Sequence, residues 1–170
     1  MIKIFILASV TAAGIWDLRY RRIPNWLIVL TVLLSLSWHS FHDGLSGLWT
    51  SSLGLIVGLA FLFPIYLMRG IGAGDVKLMG ALGAAVTFKH IFTLFVISAI
   101  IAGIMAIFQA IWSKALLKTV KNMGRLGKHV LLGRLKPHAE LNIDNDHALK
   151  IPFGVSVTFA TWLFVFFGRQ

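Results

Sequence analysis

The chain contains no cysteine. Disulfides and thiolate metal sites are therefore excluded, and cysteine usage assigns no redox compartment. Charge is scarce as well. Only 13% of the 170 residues are Asp, Glu, Lys or Arg, against 58% hydrophobic, whereas soluble domains carry roughly a quarter charged. An ordinary soluble domain is excluded, because a core of this size cannot hide so much apolar surface from water. Lipid must be the solvent for much of it. Strict alternation of apolar and polar residues is also missing, which argues against a membrane barrel. Acids are the scarcest charges: six Asp and Glu stand against sixteen Lys and Arg, for a formal charge of +10.

What the chain does have is long apolar runs, near residues 1–17, 25–40, 48–68, 76–90, 91–112 and 151–168. A spanning helix needs about 20 such residues, with a range of about 17 to 25. The expected fold is all-α, a polytopic bundle of six transmembrane helices forming one membrane-embedded domain over residues 1–170. The first run, "MIKIFILASVTAAG", has the small residues of a cleavable signal. A single lysine precedes its core, however, and it leads directly into Trp16 and Asp17, so it reads as a retained span. The fourth run, "VKLMGALGAAVTF", is rich in Gly and Ala, a composition that lets helices approach closely in lipid.

Orientation follows from the cations. If the end of the first helix faces the cytoplasm, that side holds Arg19, Arg21, Arg22, Arg69, Lys77 and eight more between residues 114 and 150, thirteen of sixteen in all. Lys3, Lys89 and Arg169 remain on the other side. By the positive-inside rule both termini lie outside. The charge of +10 then reflects topology and contact with anionic lipid headgroups, and nucleic acid drops out as a partner. Residues 113–150 form the one long polar segment. In it "KALLKTVKNMGRLGKHVLLGRLK" spaces Leu116, Leu117, Val120, Met123 and Leu126 as a basic amphipathic helix on the membrane surface. "HAELNIDNDHALK" groups Glu140, Asp144 and Asp146 with two histidines, but at no recognised metal-ligand spacing, so it reads as a surface loop. "IPFG" opens the last run, with Pro152 in a first turn where a missing N–H costs little.

Two acids stand apart. Asp43 lies in the outer loop "HSFHDG" and three others in the polar segment, which leaves Asp17 in "WDLRYRRIPNWL" and Asp75 in "GIGAGDVKLMG". Each borders a span at its cytoplasmic end, where a carboxylate points to function. Taken singly, Asp17 has a bland reading as a salt-bridge partner of the adjacent arginines and Asp75 as a helix cap. A cap, though, has no need of Gly70, Gly72 and Gly74, whose missing side chains suit a backbone that bends or is closely approached. Pro24 and Asn25 fix a turn just after Asp17. Two facing carboxylates in a partly dry site cannot both ionise easily, so they share a proton. The ionised member can take a proton from water while the neutral one donates to a scissile carbonyl. This is aspartic-protease chemistry, which calls for no metal and no cofactor.

With those residues in view, "GAGDVK" (72–77) resembles the GxGD signature of intramembrane-type aspartic proteases, and its continuation through Leu78 and Gly80 resembles the type IV prepilin peptidase branch. "DLRYRRIPN" (17–25) is similar to that branch's first catalytic segment, an Asp followed by basic residues and Ile-Pro-Asn. "IPFG" (151–154) is similar to the start of the family's last helix. The resemblance implies cleavage of a short basic leader from prepilin-like precursors, usually after a glycine, at the cytoplasmic face of the bacterial inner membrane. It carries Asp17 and Asp75 over as the catalytic pair, and Gly72, Gly74, Lys77, Pro24 and Asn25 as motif or substrate-binding support. Larger members add a paired-cysteine domain and methylate the new N-terminus. This chain lacks cysteine and has little room before Asp17, so the expectation is peptidase activity without methylation, as in compact tight-adherence (Flp-type) members. An archaeal preflagellin peptidase would share both aspartates. A small transporter or channel would spread acids through the membrane depth, and a membrane scaffold would tolerate loss of Asp75.

Overall fold

The computed structural model describes residues 2–20, 22–68, 71–112 and 153–167. These form four helices: α1 (Ile2–Tyr20), α2 (Asn25–Leu67), α3 (Ala73–Trp112) and α4 (Phe153–Phe167). No strand occurs among them. The α1–α2 break is set by Pro24, which has no N–H to continue a preceding helix. It is extended, at φ −68° and ψ 133°. Its carbonyl accepts from Leu27 N (3.2 Å) and Ile28 N (3.5 Å), starting the next ladder.

The two long helices each double back. Asn25 of α2 bonds Lys77 of α3, yet a methyl added to Gly58 of α2 would collide with the nearby Met79 carbonyl. In a straight helix Asn25 and Gly58 would lie about 50 Å apart. The reversal is at Gly44, at φ 60° and ψ −142°, a conformation open to a residue without Cβ. Likewise α3 reverses at Thr87 (φ 65°, ψ 168°). Before the turn Gly83 packs on Gly54, and after it Phe95 stacks on Phe61 at 4.6 Å between ring centroids. The six helices expected from the sequence are thus corrected to four among the described residues. A single positive-φ residue turns each long helix, with no intervening loop to divide it.

Glycine sets the central crossing. A Cβ on either Gly54 or Gly83 would strike the other's carbonyl, so the α2 and α3 backbones touch there. That is the close approach read from the Gly/Ala-rich run. Ser51 Oγ donates to Ala84 O across the crossing at 2.7 Å, while Thr31, Ser35 and Ser98 satisfy their hydroxyls on the carbonyl four residues back. Around this seam Val10, Met79, Leu82, Ile91, Leu94 and Val157 are fully buried. α4 docks on α1, where Thr158 Oγ1 donates to Val10 O at 2.9 Å and Gly14 leaves room for the threonine.

The outer surface is apolar, with Leu33, Ile56, Ile104, Phe108, Phe159 and Phe166 among its exposed side chains. α2 and the Ala73–Gln109 stretch of α3 are long and apolar enough to cross a membrane. So large an oily exterior belongs against lipid, and the protein is membrane-associated. The basic segment 113–150, for which the sequence suggests an amphipathic helix followed by a surface loop of acids and histidines, lies outside the described residues.

Candidate active site

Asp17 lies near the end of α1 and is 6% exposed. Burying a carboxylate is expensive unless hydrogen bonds replace its water. One replacement comes from the first turn of α4: Gly154 N–H donates to Asp17 Oδ2 at 2.9 Å. The approach needs glycine, because a Cβ at 154 would lie 2.8 Å from Asp17 Oδ2 and 3.0 Å from Asp17 Cβ. A helix N-terminus also offers partial positive charge to a carboxylate.

Asp75 sits in the first turn of α3, half-buried, where its N–H donates to Gly72 O at 3.2 Å. Its carboxyl interacts electrostatically with Asp17 as one like charge with another. Residues far apart in sequence thus come within electrostatic reach of each other at one end of the bundle.

Two ties hold this meeting in register. Lys77 Nζ donates to Asn25 Oδ1 at 3.0 Å, joining the start of α3 to the start of α2. Gly74 lies beside Ile23, which is 8% exposed, and a Cβ there would stand 3.5 Å from the Ile23 side chain. Pro24, between Ile23 and Asn25, caps α2, so the chain leaving Asp17 is pinned to the helix that carries Asp75.

Internal geometry makes no special demand on the two described motif glycines. Neither Gly72 nor Gly74 has positive φ. A methyl on either would meet only ordinary contacts, the nearest to Gly72 being Asp75 Oδ2 at 3.5 Å. Internal packing therefore does not require them. Gly70 lies outside the described residues. Sequence reasoning missed the contact of Gly154 with Asp17. The only signal was the small residue ending "IPFG", which the pattern alone could not connect to an acid in α1.

No curated protein and no solved structure matches the chain. The sequence pattern of the type IV leader peptidase family matches residues 4–107, which run from the first turn of α1 through both aspartates and most of α3. That match covers more than half of the sequence, and the chain belongs to the type IV leader peptidase family.

Proposed function

We propose that the chain is a membrane aspartic endopeptidase. It removes the basic leader from prepilin-like precursors at the cytoplasmic face, with Asp17 and Asp75 activating a water between them. The observation that supports this reading is that two acids 58 positions apart, in a chain with only six, lie close enough to interact electrostatically at one end of the bundle. Asp17 Oδ2 accepts from the Gly154 N–H, which orients the carboxyl group, and the pair shares one proton. The ionised carboxylate takes a proton from water, which adds to the scissile carbonyl carbon. The neutral partner protonates the carbonyl oxygen, and collapse of the tetrahedral adduct expels the new amine with a proton returned from the dyad. Gly72 and Gly74, free of internal packing demands, leave the backbone beside Asp75 open to an extended peptide. Lys77 and Asn25 position rather than react.

The test is co-expression with a candidate precursor, read by mass spectrometry. The wild-type chain should remove the leader without adding a methyl group. Asp17→Asn and Asp75→Asn should each abolish processing while the protein stays folded. Cleavage surviving in either variant refutes the dyad, and a methylated product refutes the peptidase-only reading.

A further inference from the structure

At the end of the bundle away from the aspartates lies an open cleft of about 660 Å³, the size of a small-molecule site. All four helices line it. α1 gives Lys3, α2 gives His39 and Asp43, α3 gives Lys89, and α4 contributes an apolar wall at Phe164 and Val165. Lys3 and Asp17 are separated along α1 by about 21 Å, so this cleft is no part of the dyad site.

Its charges are not a random sample. Of the sixteen basic residues, the sequence assigns only Lys3, Lys89 and Arg169 to this face, and of the acids only Asp43. Lys3, Lys89 and Asp43 converge on one cavity although they come from three helices. His39 spans two of its walls, donating from Nε2 to Ala85 O at 3.1 Å while Nδ1 lies 3.7 Å from Asp43 Oδ2. The Asp43 side chain is nevertheless 62% exposed and open to a further cation. Thr87 at the rim holds a backbone conformation nearly confined to glycine (φ 65°), and this turn carries Lys89 to the cleft.

We propose that this cleft binds the headgroup of an amine-bearing phospholipid, its phosphate between Lys3 and Lys89 and its ammonium at Asp43. Two cations on separate helices suit a phosphate. A carboxylate beside them would repel a purely anionic ligand but pairs with an adjacent amine. The wall of Phe164 and Val165, at the end of an apolar bundle, meets the acyl-linked glycerol of a lipid and gives free phosphate nothing.

The full chain is placed in nanodiscs containing equal amounts of phosphatidylethanolamine and phosphatidylglycerol, and the lipids retained after release into detergent are counted by native mass spectrometry. The wild type should retain the ethanolamine lipid preferentially. Lys3→Gln and Lys89→Gln should each lower that retention about tenfold, the size of one charge-assisted hydrogen bond. Asp43→Asn should remove the preference for the amine while phospholipid is still held. Equal retention by wild type and the lysine double variant overturns the proposal. So does a wild type without preference between the lipids, or displacement of lipid by inorganic phosphate alone. The readout does not depend on proteolysis, so its outcome is separate from that of the dyad.

Discussion

Replacing Gly154 with alanine isolates space from hydrogen bonding, because alanine keeps the N–H that reaches Asp17. The new Cβ would lie 2.8 Å from Asp17 Oδ2, 3.0 Å from its Cβ and 3.1 Å from its Cγ, against ordinary contacts of 3.4 Å or more, a shortfall of 0.6 Å at the closest atom. Asp17 is buried and α4 is held to α1 by Thr158, so neither side yields freely. Two stability effects oppose each other. Alanine in a helix gains about 0.5–1 kcal/mol over glycine, whereas forcing a methyl into a packed site costs about 1–3 kcal/mol. The net loss should be about 1–2 kcal/mol, small enough for the protein to remain folded. Activity should suffer more. A catalytic group displaced by about 1 Å can lose about a hundredfold in rate, and a shift of half that or more predicts a fall of about ten- to a hundredfold in precursor processing. Initial rates in detergent micelles, with a thermal melt of the same preparation, separate the two effects. Processing at the wild-type rate by a folded Gly154→Ala protein would refute the claim that the first turn of α4 sets the position of Asp17.

Two further predictions concern the fold. Thr87→Gly removes a strain of about 1–3 kcal/mol at the α3 turn at an entropic cost of about 0.5–1 kcal/mol. Thermal stability should therefore rise, and an unchanged or lower melting temperature would count against the turn. Gly83→Ala pushes a methyl into the Gly54 carbonyl and should destabilise by up to about 3 kcal/mol. The matched Gly103→Ala has open space around it and should be neutral or mildly stabilising. Equal melting shifts for the two would show that the α2–α3 backbones do not touch.

What could be read in the sequence was whatever rested on rarity or composition. Asp17 and Asp75 stood out because acids are few in an oily chain, and the structure brings them to one end of the bundle. The Gly/Ala run announced a close helix crossing, and Gly83 on Gly54 is that crossing. Chain reversals were harder. "HDGLSG" carries a turn signal at Gly44, and the expected spans broke around it. Nothing local marks Thr87, a β-branched residue in an apolar run whose intrinsic preference is against positive φ, so the fourth run was carried past it to residue 90. The shared role of Lys77 and Asn25 was equally hidden. Each was legible as a motif residue, but a hydrogen bond across 52 positions belongs to the tertiary fold.

The position of α4 explains why such contacts matter for an acid. The family pattern ends at residue 107, and α4 begins at Phe153, beyond it. Yet the N–H that reaches Asp17 comes from α4, and so does Thr158, which bonds back to Val10 on the same helix as the acid. A buried carboxylate supported only by its own helix would remain costly. Docking α4 against α1 through Gly14 and Gly154 brings a helix N-terminus to it without a side chain in between. The same docking leaves Phe164 and Val165, two to three turns further along α4, on the cleft at the opposite end. One short helix therefore borders both sites. A change that slides α4 along α1 should disturb the aspartates and the cleft together, while Lys3→Gln or Lys89→Gln should lower lipid retention in the cleft and leave proteolysis at its wild-type rate.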